Sequence, residues 1–386
     1  MRNSRLPKHS KIVSRTLILI AVLATAGCEI FDGFIAETNK RAGPNVVPYQ
    51  DRPRYDPIDG NTFTLTSDEQ SVIGEAQIVF VGPGDTFSDL ARTYGLGYDD
   101  LVDANPGIDP WLPGEGTPVL LPTQYVLPDA PKRGVILNIA AKRLFYYPKR
   151  KDGELQQVLT YPIGIGRVGW ETPLGETTVI SKAVNPSWWV PASVRREHAE
   201  MGDPLASVVP PGPDNPLGTR VLKLDIPGYL IHGTNKPAGV GMRVSHGCVR
   251  LYPENIEFLY DLVEVGEVVT ILNEPYQMGS RDGVLYFEAH PPLEDDTRLP
   301  GERLQSLFHA HSKKGGVALN DHLQQHVVSL AKTPTGVPVS IVEYDANEVM
   351  ARARVVHNVV VPDPNEPTLS EVQEMMQELQ AEAEAL

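Results

Sequence analysis

One stretch of this 386-residue chain gathers the groups that acyl transfer needs. It begins Ile231-His232-Gly233-Thr234, crosses a glycine-containing loop, and ends Ser245-His246-Gly247-Cys248-Val249-Arg250-Leu251. A cysteine attacks as the thiolate, so a base must stand near it. Two histidines are available. His246 precedes Cys248 by two positions and would share a strand face with it. His232 lies further back, at a separation that suits two strands joined by a flexible loop, with His232 opposite Cys248. Gly247, having no side chain, would leave the N–H groups of Gly247 and Cys248 open to a developing oxyanion. Taken alone, a free cysteine is more often a small buried hydrophobe, and a histidine a hydrogen-bonded structural residue. Their joint occurrence in an exported chain favours chemistry.

Export is read from the first residues. Arg2, Arg5, Lys8, Lys11 and Arg15 form a basic segment, and the apolar run Thr16 to Ala26 follows, too short for a membrane span. The Ala26-Gly27-Cys28 sequence resembles the bacterial lipobox, which implies a signal peptide over 1–27 and a lipid on Cys28. Glu29, not Asp, follows the cysteine, which resembles lipoproteins sorted to the outer membrane of Gram-negative bacteria. The expected location is the periplasmic face of the envelope. Only two cysteines are present, so Cys248 would be the one thiol left in an oxidising compartment. The formal charge of −15 becomes −20 once the five leader cations are removed. Such an acidic chain excludes a nucleic-acid partner.

Several elements must position these groups. Residues 28–76 are polar and turn-rich and are expected to form a tether. Residues 77–123 read as a compact unit. A strand over Ile78–Val81 leads to a turn, then a helix capped by Thr86 or Asp85 that carries Phe87, Leu90 and Ala91 and ends at Gly95. A second helix over Tyr98–Ala104 is broken by Asn105-Pro106-Gly107, and Val119–Leu121 closes the unit as a strand. Gly84-Asp85-Thr86, Asn105-Pro106 and Pro113-Gly114 make this unit resemble a LysM module. The resemblance implies that Gly84, Asp85, Thr86, Asn105 and Pro106 meet the N-acetylglucosamine-containing glycan of peptidoglycan.

From 133 to 275 the pattern is mostly strands. Val135–Ile139 and Leu144–Tyr147 form a hairpin; further strands follow at Val158–Ile165, Thr177–Lys182, Arg220–Leu224, Gly228–His232 and Glu267–Leu272. Glu254–Val263 is the one good helix. Trp188 and Trp189 suit either a substrate cleft or plain core. The extension over 276–386 carries no recognisable motif. Val339–Tyr344 and Arg354–Val361 look like strands, and a helix with Thr368 and Glu371 as capping box could close the chain. His322 and His326 could share a helix face, but no third ligand stands out; neither a metal nor a cofactor is expected.

His232-Gly233-Thr234 followed by Ser245-His246-Gly247-Cys248-Val249-Arg250 resembles the signature of the YkuD-type L,D-transpeptidases. Tyr161 to Gly166, Thr172-Pro173, Asn185-Pro186 and Gly212 to Gly218 extend the likeness to the ErfK/YbiS/YcfS branch, whose members also carry a LysM module. The resemblance implies a YkuD-like β-sandwich with a short helix beside a small βααβ module, and a C-terminal α+β tail of unknown fold. It implies Cys248 as nucleophile, His232 as the base, and His246 as the histidine that tunes the thiol. Ser245 and Gly247 would present the cysteine, and Arg250 would orient the site or meet a substrate carboxylate. The implied donor is a tetrapeptide stem ending in diaminopimelate–D-Ala, and carbapenems would acylate the same cysteine. The acceptor would be a second diaminopimelate amine or the C-terminal Lys of an outer-membrane lipoprotein. A hydrolase using water, or a noncatalytic wall anchor, are the alternatives.

Overall fold

A computed structural model describes residues 48–314, 319–341 and 346–361. The leader, Cys28 and the Thr368–Glu371 capping box lie outside the described residues. None of the described helices is long and apolar enough to cross a membrane.

The first elements are β1 (Thr62–Thr64), β2 (Val72–Gly74) and β3 (Gln77–Phe80), then helices α1 (Phe87–Thr93) and α2 (Tyr98–Ala104), then β4 (Pro118–Leu121) and β5 (Gln124–Val126). The region from residue 134 adds β6 (Gly134–Asn138), β7 (Arg143–Tyr147), β8 (Gln157–Pro162), β9 (Ile165–Gly166), β10 (Gly175–Val184) and β11 (Trp188–Trp189). Helix α3 (Ala192–Glu200) and strands β12 (Val208–Val209), β13 (Arg220–Leu224), β14 (Leu230–His232), β15 (Arg243–Ser245) and β16 (Val249–Arg250) follow, then helix α4 (Pro253–Leu262) and β17 (Val268–Leu272). The extension holds the hairpin β18 (Tyr276–Arg281) and β19 (Val284–Ala289), helices α5 (Pro300–Lys313) and α6 (Asp321–Leu330), β20 (Val339–Ser340), α7 (Ala346–Arg352) and β21 (Arg354–Val355).

Nine strands join in the order β1-β8-β7-β6-β17-β10-β13-β14-β16. Strand β10 belongs to both halves. Gly175 to Thr178 pair with β17, and Val179 to Val184 pair with β13 across a register break between Val179 and Ser181. The break lets the sheet fold over itself. Val135, Leu137 and Tyr146 from one half therefore meet Leu222, Ile231 and Val249 from the other, and Ile256 and Leu259 of α4 close this core.

The hairpin β6–β7 is apolar on both faces, as its unbroken run of large residues requires. The residues that alternate with those in the first core, namely Ile136, Phe145 and Tyr147, point the other way. There they pack with Phe87, Leu90, Leu101 and Leu121 of the βααβ unit. The unit and the large sheet thus share one hydrophobic core. Each fully buried side chain of this size contributes about 1.5–3 kcal/mol. A buried ion pair crosses the same seam: Arg143 Nη2 of β7 lies 2.8 Å from Asp100 Oδ2 of α2, with 3% and 11% of the two side chains exposed.

Three expectations need correction. Residues 48–76 are built in and do not form a loose tether. Tyr49, Leu65, Val72 and Ile73 are buried, β1 pairs with β8, and β2 pairs with β5. The extension also returns to the molecule: β21 lies parallel to β3 and makes the βααβ sheet three-stranded. Of the two strands expected there, Val339–Ser340 and Arg354–Val355 are strands among the described residues, and α5 and α6 occupy a region that carries no recognisable motif.

Because the two units share a core, they should melt together. Differential scanning calorimetry is expected to show one transition over both, and a separate early transition of the βααβ unit would contradict the shared core. Arg143→Ala strands Asp100 in the seam and should cost about 3–5 kcal/mol of stability in urea unfolding.

Candidate active site

Strands β14 and β16 run parallel, with Ile231 beside Val249 and His232 beside Arg250. His232 therefore faces Arg250 directly, and Cys248 sits two residues earlier, level with Leu230. This offset replaces the expected direct opposition of His232 and Cys248. Residues two apart share a strand face, so His232, Arg250 and Cys248 come to one side of the pair. All three line a cavity of about 1290 Å³.

A bend at 246–247 presents the cysteine. Gly247 has φ +97°, and a Cβ there would meet the Tyr229 ring at 2.9 Å. Only glycine fits both demands. Ser245 Oγ donates to the Cys248 carbonyl at 2.6 Å and accepts from Gly247 N–H at 3.2 Å. Thr172 Oγ1 donates to the Gly247 carbonyl at 2.9 Å. This corrects the expected oxyanion pocket. The Gly247 N–H is already committed to Ser245, and only the Cys248 N–H has no acceptor among the described residues.

The same bend interrupts the strand between His246 and Cys248, yet both residues line the one cavity. His246 Nε2 lies 2.9 Å from Glu197 Oε2 on α3, and its ring stands edge-on to Trp170 at a centroid distance of 4.9 Å. Glu197 also pairs with Arg167. Burial lowers the His246 pKa, and Glu197 opposes the shift. The Arg167 guanidinium, with help from His246, holds the Glu197 carboxyl below its ordinary value. Neither Arg167 nor Glu197 was singled out from the sequence. Nothing in local spacing links position 197 to position 246; only the chain path over α3 does.

His232 is almost fully buried. Its Nδ1 is 2.6 Å from the Gly233 carbonyl, which can only accept, so Nδ1 donates to it, and the Leu217 backbone also bonds to the ring. Burial, and then the Arg250 charge, push its pKa down to about 3. The thiol shifts in the opposite sense. Burial raises the Cys248 pKa, which the Leu230 N–H and Arg250 only partly offset. The resting pair is therefore neutral thiol and neutral imidazole, and Sγ donates to the Gly228 carbonyl at 3.5 Å. Arg250 is half-buried, and its Nε has no hydrogen-bond partner among the described residues. A guanidinium that lines the cleft with an idle donor suits an incoming carboxylate.

Trp188 and Trp189 both line the cleft, and Trp189 is 76% exposed, which decides against plain core for it. In the βααβ unit, most of the expected sugar contacts are spent on structure. Asp85 Oδ2 accepts from Gly82 N–H at 2.7 Å and from Asn358 Nδ2 at 2.6 Å. Thr86 caps α1 in a capping box with Asp89, which settles the choice between the two cap candidates. Asn105 is buried, donating to the Leu101 and Leu120 carbonyls and accepting from Leu120 N–H. Gly84 and Pro106 remain exposed.

The YkuD family model, described as an L,D-transpeptidase catalytic domain, matches residues 132–271, and the LysM domain model matches residues 81–110. The chain is 37% identical over 295 residues to the probable L,D-transpeptidase YcfS of Escherichia coli K12, across 74% of this chain and 89% of that protein. It is 36% identical over 285 residues to the probable L,D-transpeptidase YbiS of the same strain, across 72% and 92%. The probable L,D-transpeptidase ErfK/SrfK of that strain is 38% identical over 250 residues, across 62% and 79%.

The neutral resting pair can be checked by alkylation. The pH midpoint for iodoacetamide reacting with Cys248 should lie above the ordinary cysteine value of about 8.5. Arg250→Ala should move it higher still. A midpoint below 7 would mean a preformed thiolate–imidazolium pair.

Proposed function

The chain belongs to the L,D-transpeptidase family, and from that premise we propose how its residues divide the reaction. Cys248 is the nucleophile and His232 the base. A carbonyl bound in the cleft draws the thiol away from Gly228. Nε2 of His232 takes the thiol proton as sulfur attacks. The Cys248 N–H steadies the oxyanion. The amide C–N bond breaks, the leaving amine takes the proton back from His232, and a thioester remains on Cys248. An acceptor amine attacks the thioester, gives its proton to His232, and the amide product departs with the thiol restored. Atoms and protons balance over the cycle.

The donor is the tetrapeptide stem of peptidoglycan. Cys248 attacks the diaminopimelate–D-Ala bond and D-Ala leaves. The observation that carries this assignment is the half-buried Arg250, whose idle Nε lies on the strand face shared with Cys248 and His232 and suits a stem carboxylate. The surroundings agree: although the chain is acidic, Lys223 and Lys236 also line the cleft. The acceptor is a second diaminopimelate amine or the C-terminal Lys of an outer-membrane lipoprotein. The LysM module holds glycan. Cys28 carries the lipid that keeps the enzyme on the periplasmic face of the outer membrane.

Intact-mass spectrometry tests the chemistry. With a disaccharide-tetrapeptide, the protein should gain the mass of substrate minus D-Ala, and Cys248→Ala should gain nothing. An equal adduct on Cys248→Ala would overturn the assignment of the nucleophile. Release of free acid in the presence of candidate amines would turn the reading to hydrolysis. Because His232 stays neutral down to about 3, the acylation rate should change little from pH 7 to pH 5. A base with the usual pKa of about 6.5 would lose roughly twentyfold over that range.

A further inference from the structure

The loop that follows α2 does not stop at the LysM module. Trp111, at its far end, lines the same cavity as Cys248, His232 and Arg250. Its indole is 58% exposed although the residue sits between two packed units. An exposed indole in a cleft is a surface for the apolar face of a ring.

The loop is held in place. Asp109 Oδ1 accepts from the N–H groups of Trp111 and Leu112 at 2.9 and 3.1 Å. The Pro110 carbonyl accepts from Phe87 N–H at 2.8 Å, which ties the loop to the start of α1. The Trp111 ring rests on Tyr98 at a centroid distance of 5.7 Å. Tyr98 in turn is fixed to the catalytic loop, because its N–H donates to the Val240 carbonyl at 3.2 Å. Beside it, Gly97 and Gly241 approach so closely that a Cβ on Gly97 would lie 2.6 Å from the Gly241 Cα. The Tyr252 hydroxyl donates to the Leu96 carbonyl at 3.1 Å, and Arg92 forks onto Glu254. Trp111 therefore keeps a fixed position relative to the catalytic cysteine.

The cavity is also large. Its volume of about 1290 Å³ exceeds the roughly 300–1,000 Å³ of ordinary small-molecule sites. The acceptor takes part of that room, and a donor peptide still joined to its sugar would bring a ring to the exposed, fixed indole.

We infer that Trp111 is a positioning residue of the catalytic cleft, stacking on the sugar that carries the donor stem, so that the enzyme selects glycan-linked donors over free peptide. This rests on the transpeptidase reading above. The module then does more than recruit the enzyme to the wall, since part of it forms one wall of the active site and sets which donor is used.

The test compares two donors on the full-length protein in detergent, a disaccharide-tetrapeptide and the free tetrapeptide, by rate of acyl-enzyme formation on Cys248. The wild type should favour the disaccharide-linked donor. Trp111→Ala should lower kcat/KM for that donor about tenfold, the scale of one lost ring contact, mainly through KM. It should leave the free tetrapeptide within about twofold, and Trp111→Phe should restore most of the preference. An equal loss on both donors would mean that Trp111 only supports the cleft, and no loss on either would mean that the sugar lies elsewhere. Either result overturns the inference while leaving Cys248 chemistry standing. Absence of any adduct on the wild type would instead overturn the transpeptidase reading, and the inference with it.

Discussion

The sheet half made by residues 134–138 and 143–147 is apolar on both faces, and neither face can be left to water. Ile136, Phe145 and Tyr147 on one side alternate with Val135, Leu137 and Tyr146 on the other. One face is satisfied by folding the sheet over at strand β10. The other is satisfied by the LysM module. A binding module on a flexible string would leave that second face exposed, and exposed apolar patches of this kind do not persist in stable monomers. The docking of the module, the buried Arg143–Asp100 pair and the fixed position of the loop to Trp111 all follow from this one requirement.

Burial also sets the electrostatics of the centre. It pushes the histidine and the thiol toward their neutral forms at the same time, since each would have to carry charge in a poorly solvated place. Arg250 favours the thiolate and disfavours the imidazolium, so it does not favour an ion pair between them. An anionic substrate changes this balance, because its carboxylate would answer the guanidinium and lessen the repulsion felt by His232. The arrangement keeps the Cys248 thiol in its less reactive, protonated form until a donor is in place.

Around that centre, positioning is layered. Ser245 and Thr172 lock the bend at Gly247 from two sides. Glu197, held by Arg167, holds His246 against Trp170. The helix that supplies Glu197 belongs to a segment that also brings Trp188 and Trp189 to the cleft. The returning tail serves the module similarly: Asn358 reaches Asp85, and the Tyr94 hydroxyl donates to the His357 carbonyl.

Much of this was legible in the residues themselves. The thiol, both histidines and Arg250 stand in one short stretch. The two LysM helices announce themselves by Thr86, Gly95 and the Asn105-Pro106-Gly107 break, and the hairpin at 134–147 by its two continuous apolar runs. Those signals are local, because capping, turn chemistry and side-chain periodicity act within a few residues. What only the tertiary structure decided lies at long range. The Gly247 N–H turned out to be occupied, Glu197 reached His246 across 49 positions, residues 48–76 were drawn into the sheet, and Trp111 was carried to the catalytic cleft. Each depends on which faces must be covered and by what, and that is a property of the packed chain, since burial is satisfied by whichever surface arrives in space, however distant it is in sequence.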